Sequence, residues 1–363
     1  MSRVLHLITN LEQGGAERQM AYLAGGLAEL GWEVHVGHLD GGPLGEVLRR
    51  SDAVLHLVPA LGPYDPRTPP RLRRLIDRVR PDLVQTWIPM MDVVGGLAAR
   101  ATRTPWVISE RNTPDFFPDA AKFRLRRWLA RGASAVVSNS ASGDRFWAAR
   151  LPTSVQRRVI LNALPLEQMR EVSDRPEDAF GIPDGLPLVL FAGRLNAQKN
   201  IDVLLPAIRE VVRRTPAVAL LCGIGPLAGR VSDYIRQHRL ADRVLAPGFV
   251  PRLWPWMRRA AVFVSGSRHE GMPNTVMEAA ALGCPLVLSA IPQHCDIIDS
   301  SAALYTEVDH SLQIAEAILV VLRDPLAARA RAERAAKLAS EWSIQRATAC
   351  YAELYQAILA GSS

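Results

Sequence analysis

The sequence predicts an α/β chain made of two parallel-sheet domains in series, and three observations predict it. Short apolar runs alternate with segments that are apolar at i, i+3 and i+4, the pattern of buried strands joined by crossover helices. That rhythm stops once, in a stretch rich in Asp, Glu, Pro and Gly, and then restarts. The length, 363 residues, favours two domains over one.

Val4–Ile8 reads as a strand and Ala16–Leu30 as a helix stopped by Gly31. Val34–His38 and Val54–Val58 read as the next two strands. Pro70–Val79 is a helix, Leu83–Trp87 a strand, Asp92–Thr102 a helix and Trp106–Ser109 a strand. Ala120–Arg131 is a helix and Ala135–Ser138 a strand. Repeated βα units of this kind make a doubly wound, Rossmann-like sheet. Residues 162–186 hold no strand pattern. Strands resume at Leu188–Ala192, Ala217–Cys222, Val244–Ala246, Val262–Val264 and Pro285–Leu288, and Leu312–Leu359 reads as helix throughout. The predicted division is a Rossmann-like domain over 1–165, a linker over 166–186, a second such domain over 187–340, and a C-terminal helix over 341–363 packing back toward the first. Ligands of such sheets bind at the carboxyl ends of the strands, so a site is expected in the cleft between two facing domains.

Composition narrows the class. With 48% apolar and 22% charged residues, a disordered chain is excluded. No run of 18 apolar residues predicts a membrane span, and the first residues do not read as a secretory leader. Cys222, Cys284, Cys295 and Cys350 form no CxxC pair, which argues against a disulfide framework or a zinc site. A cytoplasmic protein is expected. The basic residues are 40 Arg and 3 Lys. Residues 1–165 hold 22 basic against 15 acidic side chains, whereas 166–363 hold 21 of each. A one-sided basic half suits a phospholipid surface, a pyrophosphate-linked substrate or nucleic acid, and equally a solvated basic face.

Three loops at strand ends could carry chemistry. Residues 9–18, TNLEQGGAER, open a helix whose N-terminal amides favour anions, and Gly14 and Gly15 let a ligand approach the backbone. The loop is not GxGxxG, and no acid ends the second strand, so a nicotinamide cofactor is disfavoured. Residues 191–202, FAGRLNAQKNID, place Arg194 and Lys199 where both can point at one diphosphate. Residues 267–287 set Glu270 before a turn, with Pro273 at the first helical turn, Glu278 inside the helix and Gly283 as its stop. Two carboxylates flanking a helix start suit a ligand with both hydroxyls and phosphate. Each loop alone is equally a plain βα turn, an exposed cation or a solvated helix residue.

In combination and in this order the loops resemble glycosyltransferase family 4, retaining enzymes of GT-B architecture, over nearly the full length. The residues that carry the resemblance are GGAER at 14–18, AGRLNAQKN at 192–200, GIGP at 223–226, PGFV at 247–250 and the E-x7-E of EGMPNTVME at 270–278. The resemblance implies a hexosyl transfer from a nucleotide diphosphate sugar, most often uridine-linked, without metal or other cofactor. It implies that Arg194 and Lys199 neutralise the donor diphosphate and that Glu278 binds the ribose hydroxyls. Backbone at Phe249 and Val250 would hold the base, and Glu270 would bind the donor sugar near its anomeric carbon. The amides of the segment Gly271, Met272, Pro273, Asn274 and Thr275 would grip sugar and phosphate, and Gly14 and Gly15 would admit the donor. The chain has no DxD motif, so Arg194, Lys199 and a helix N-terminus would stabilise the leaving diphosphate electrostatically. Retention would arise by same-face attack, with Glu270 as covalent nucleophile the less favoured course.

Two departures stand out. Many members carry a His near the end of the fourth strand, where QTWIPMMD at 85–92 offers Trp87. The linker begins NAL rather than with the usual NG. Glu17, Asp92, Glu110 and Arg111 are the candidate acceptor residues, and ISERN at 108–112 resembles the subset acting on bacterial surface sugars. The helices RLRRLIDRVR and KFRLRRWLAR are basic and amphipathic, so Arg124, Arg126 and Arg127 could lie on an anionic membrane beside a polyprenyl-diphosphate-linked acceptor. That makes the expected enzyme peripheral on the inner face of the membrane. The rival readings are a nucleotide-sugar epimerase of the same architecture and a non-enzymatic membrane or nucleic-acid scaffold. The scaffold leaves the phosphate loop and paired glutamates without purpose, and aromatics suited to base stacking are sparse, so nucleic acid is not an expected partner.

Overall fold

The structure, a computed structural model, describes residues 1–12, 14–62, 65–111, 120–176 and 180–361. It resolves into two compact units, Met1–Ala163 with Trp342–Ser363, and Leu164–Glu341.

The first unit holds β1 (Arg3–Ile8), β2 (Glu33–His38), β3 (Val54–Leu57), β4 (Leu83–Trp87), β5 (Trp106–Glu110), β6 (Ala135–Ser138) and β7 (Gln156–Val159). They form one parallel sheet in the order β3-β2-β1-β4-β5-β6-β7. Central β1 sets Val4 opposite Val34 on one side and Leu83 on the other. Helices cover both faces, which is why these strands read as continuous apolar runs. One face is packed by Met20, Leu23 and Leu27 of the helix Gly15–Glu29 and by Tyr351, Leu354, Tyr355 and Ile358 of the last helix, Ile344–Ala360. The other is packed by Leu72, Leu75 and Ile76, by Val94 and Ala98, and by Leu129 and Trp147. The last helix runs close to the first: a Cβ at Gly26 would stand 2.3 Å from Thr348 Oγ1. Tyr355 closes the contact, edge-on to Trp32 and donating its hydroxyl to Gln85 Oε1.

The second unit holds β8 (Leu188–Ala192), β9 (Val218–Cys222), β10 (Val244–Gly248), β11 (Val262–Ser265), β12 (Leu286–Ser289) and β13 (Leu304–Thr306), parallel in the order β10-β9-β8-β11-β12-β13. Its core joins β8, β9 and β11 to the helices Ile201–Arg214 and Ser311–Arg323.

Several details differ from the sequence expectation. Residues 166–186, read as a linker, carry the helix Leu166–Arg170 and are tied to the second unit. Arg258 donates to the carbonyls of Met169 and Arg170 at 2.9 and 3.0 Å, and Arg259 to Pro183 at 2.8 Å. The stretch read as one long C-terminal helical segment is three helices. Asp324 caps the second, Pro325–Ala339, and Ser343 the third, their side chains accepting from the N–H of Ala327 and Arg346 at 3.0 and 3.1 Å. β7 was not expected, because all four residues of QRRV are exposed and an edge strand needs no apolar pattern.

Candidate active site

In the second unit four strand ends converge on one carboxylate. The loop after β8 is laid down backbone against backbone on the loop after β9. Gly193 N–H donates to Cys222 O at 3.0 Å, Leu195 N–H to Ile224 O at 2.9 Å, and Leu227 N–H to Leu195 O at 2.9 Å. The approach requires glycine: a Cβ at Gly223 would stand 1.9 Å from Gly193 O. The same loop is stitched to the loop after β11. Arg268 N–H donates to Gln198 O at 2.9 Å, and Gln198 Nε2 donates to His269 O at 3.0 Å. This stitching brings Lys199 to Glu270, with Lys199 Nζ donating to Glu270 Oε1 at 2.5 Å. Their side chains are only 15% and 6% exposed, so the pair is largely withdrawn from water.

Ser267 donates to the same Glu270 oxygen at 2.6 Å. Oε1 is therefore loaded twice, while Oε2 takes no hydrogen bond among the described residues. Burial pushes the Glu270 carboxyl up, but the Lys199 ammonium and the two hydrogen bonds outweigh burial and hold it below its ordinary value. It is an ionised acceptor with one free oxygen. Arg194 stands exposed on the same loop as Lys199 and has no partner among the described residues.

The helix Asn274–Ala281 starts four residues after Glu270 and buries Glu278. Met272 and Pro273 are buried in the turn. One expectation fails here: the Asn274 N–H is not open to a ligand, because it donates to Met272 O at 2.9 Å. Phe249 is 61% exposed beside the equally exposed Ile224, whereas Val250 points into the core. Behind Glu270 lies His294, fully buried, which the sequence did not single out. Its Nδ1 stands 2.9 Å from Ser289 O, which fixes the Nδ1–H tautomer, and burial pushes the imidazole down to about 4.

In the first unit the sequence-derived acceptor residues separate. Asp92, Glu110 and Arg126 are 0%, 1% and 2% exposed and bond to one another. Arg126 reaches Asp92 Oδ2 at 2.7 Å and Glu110 Oε2 at 2.8 Å. Thr86 donates to Asp92 at 2.6 Å, and Trp147 Nε1 to Glu110 at 3.1 Å. This corrects three expectations: Asp92 and Glu110 are counter-ions sealed in the core, and Arg126 faces them rather than a membrane. Arg111 is likewise taken, donating to Ser109, Asn162 and Tyr351 at 2.9, 2.8 and 2.8 Å with its guanidinium 4.4 Å over Trp87. It clamps the last helix to β5. Glu17 is half-exposed at the helix start, folded back over Gly14, and burial raises its carboxyl above the ordinary value. The end of β4 carries strain in place of a histidine: Ile88 has φ 66°, unusual for a β-branched residue. Among the described residues no group of three or more His, Cys, Asp or Glu is placed to hold a metal ion, and no helix is long and apolar enough to cross a membrane.

Two parallel-sheet units, each matched by a glycosyltransferase profile, define the class: the chain is a glycosyltransferase of the GT-B fold. It is related to glycosyltransferase family 4. A profile described as Glycosyltransferase Family 4 matches residues 13–168, and one described as Glycosyl transferases group 1 matches residues 186–324. The lipopolysaccharide core biosynthesis mannosyltransferase LpcC of Rhizobium leguminosarum bv. viciae is 26% identical over 323 residues, 83% of this chain and 88% of its own. Among solved structures, Anabaena HepE in complex with UDP and glucose superposes with TM-score 0.86 at 19% identity, over 98% of this chain and all of that one. Sucrose-phosphate synthase from Thermosynechococcus elongatus superposes with TM-score 0.81 at 18% identity, over 99% of this chain and all of that one.

Proposed function

We propose that the chain transfers a hexose, with retention, from a UDP-linked donor to a glycan or polyprenyl-diphosphate-linked acceptor. The observation that carries the reading is the Lys199–Glu270 pair with one carboxylate oxygen left over and Arg194 exposed on the same loop as Lys199. Two cations at one strand end offset the negative charge that a leaving diphosphate develops, Lys199 held in place by Glu270 before the reaction and Arg194 left open to the ligand. Glu270 Oε2 accepts a sugar hydroxyl, Glu278 the ribose, and exposed Phe249 and Ile224 offer an apolar rest for the base. Glu17 is the proposed acceptor-side base, since Asp92 and Glu110 are spent on Arg126. HepE, of the same fold, has been crystallised with UDP-glucose, which supports the choice of base and sugar. The test is a thermal titration with UDP-glucose, GDP and NAD, read together with UDP release. Stabilisation by UDP-glucose that is lost in Lys199→Ala supports the reading, and stabilisation by NAD alone refutes it.

The acceptor would be met at an anionic lipid surface. Leu125 and Trp128 are 40% and 58% exposed on the helix Ala121–Ala130, and Leu97 is 39% exposed on the neighbouring helix Ile88–Thr102. Arg100 stands 5.3 Å over the Trp128 ring, and exposed Lys122, Arg124, Arg103 and Arg131 flank the patch. Residues 93–104 and 120–134 contain no acid. Cosedimentation with phosphatidylglycerol vesicles, against neutral vesicles as control, tests this.

A further inference from the structure

The buried polar groups behind Glu270 form a connected shelf that the donor-site reading does not use. His294 Nδ1–H donates to Ser289 O at 2.9 Å. The Ser289 hydroxyl donates to the Ser267 carbonyl at 2.6 Å, and the Ser267 hydroxyl donates to Glu270 Oε1 at 2.6 Å. His294 Nε2 stands 3.4 Å from Ser265 Oγ, which in turn is 3.3 Å from Ser267 Oγ. Ser265, Ser267, Ser289 and His294 are all under 5% exposed, so water cannot substitute for any of these bonds. They come from the end of β11, the loop that follows it, the end of β12 and the short helix Pro292–Cys295. A cluster of small hydroxyls gives a carboxylate no shape of its own. The imidazole is the one rigid body in it, bonded through both ring nitrogens.

We propose that His294 is a positioning residue for the transfer: it braces the Ser289–Ser267 shelf so that Glu270 Oε1 stays bound and Oε2 is presented to the donor sugar. The inference rests on the reading of Glu270 as the residue facing that sugar. Its neutral, Nδ1-protonated form suits the role, because a charged ring would be drawn toward Glu270 instead of bracing the serines. The shelf touches the sugar only through Glu270. Its loss therefore acts on the reacting geometry, while the nucleotide held by Lys199, Arg194 and Glu278 stays bound.

The test uses the full chain, UDP-glucose as probe, UDP release for turnover and calorimetry for UDP affinity. His294→Leu keeps the volume and removes both bonds. It is expected to lower kcat about 30-fold or more, the scale on which roughly 1 Å of misplacement acts, with KM and the UDP Kd within about threefold of wild type. His294→Asn restores a donor at the Nδ1 position and is expected to recover kcat to within about threefold. If His294→Leu does not fold, Ser289→Ala cuts the same shelf at one hydroxyl, and a fall of about tenfold in kcat at unchanged UDP affinity is expected. A folded His294→Leu with wild-type kcat, or one that loses UDP affinity in step with kcat, overturns the assignment. A wild type that neither binds UDP nor releases it from UDP-glucose refutes the donor reading itself, which is a different result.

Discussion

Lys199 Nζ lies 2.5 Å from Glu270 Oε1 across 71 residues of chain, and both side chains are nearly out of solvent. Removing one partner of such a pair leaves the other charge buried and alone, at a cost of about 3–5 kcal/mol. Lys199→Ala is expected to lose roughly that much stability at pH 7, and most of the loss should vanish near pH 4. The sign follows from Glu270. In the wild type its carboxyl sits below the ordinary 4.5, so its contribution is present above that value and lost as pH falls further. Without Lys199, burial dominates and the carboxyl protonates at a higher pH. Urea unfolding of both proteins at pH 7 and 4 measures the difference, and an equal gap at the two pH values contradicts the account.

The same arithmetic applies to Arg126, which the helix pattern alone placed on the surface. Arg126→Met strands Asp92 and Glu110 and is expected to destabilise by about 3–5 kcal/mol. Arg124→Ser, at the exposed residue just before Leu125, should cost about 1 kcal/mol or less. In vesicle binding the order reverses in kind. Arg124→Ser should weaken partition onto anionic vesicles about fivefold, the value of one cation near a charged surface. Denaturation and cosedimentation on the same two variants decide it. An Arg124→Ser variant that binds like wild type removes the membrane reading.

These two cases show what was legible in the sequence and what was not. Strands buried on both faces announce themselves, so β1, β4, β5, β8 and β9 were readable from apolar runs alone. β7, exposed along its whole length, and β13, three residues long, carry no such signal. At the site, Lys199 and Glu270 were visible because they lie in loops with a recognisable order, but their contact is a tertiary fact. His294 and the three serines are common residues with no spacing to mark them. Arg126 was misplaced because amphipathic periodicity ranks a helix face by its own residues. It does not see that Asp92 and Glu110, from two other elements, offer that face a pair of buried carboxylates.

Acid should destabilise the first unit through His6. The ring is fully buried, accepts from Trp87 Nε1 at 3.2 Å, and burial pushes it down to about 3 from an ordinary 6.5. The unfolded chain therefore takes up the proton first, and stability falls as pH drops below 6.5. Between pH 6.5 and 5 the fall is about 2 kcal/mol from this group. Asp92 works against it, since its carboxyl is raised to about 6 by burial and contributes more as pH falls toward 3.8. His6→Asn keeps an acceptor for Trp87 and removes the titration. Its stability should be lower throughout, yet its slope between pH 6.5 and 5 should be smaller than that of the wild type. Matching slopes in parallel denaturant series would show that His6 does not titrate as argued.

Tyr355 ties the last helix to the sheet of the first unit by two separate means, and they can be taken apart. Its ring is 0% exposed, 5.5 Å from Trp32 and 5.9 Å from Tyr351, and its hydroxyl donates to Gln85 Oε1 in the middle of β4. Tyr355→Phe keeps the packing and leaves a buried amide oxygen without its donor, a loss of about 1–3 kcal/mol. Tyr355→Ala also opens a cavity against Trp32 and should cost about 3–5 kcal/mol. Both changes lie in the first unit, whereas the core of the second unit contains no residue beyond 341. Hydrogen exchange should therefore show protection falling in β1, β4 and the helix Gly15–Glu29 while β8, β9 and β11 keep theirs. Equal loss across both sheets would mean that the two units unfold as one, and that the last helix stabilises the whole chain instead of the unit it packs on.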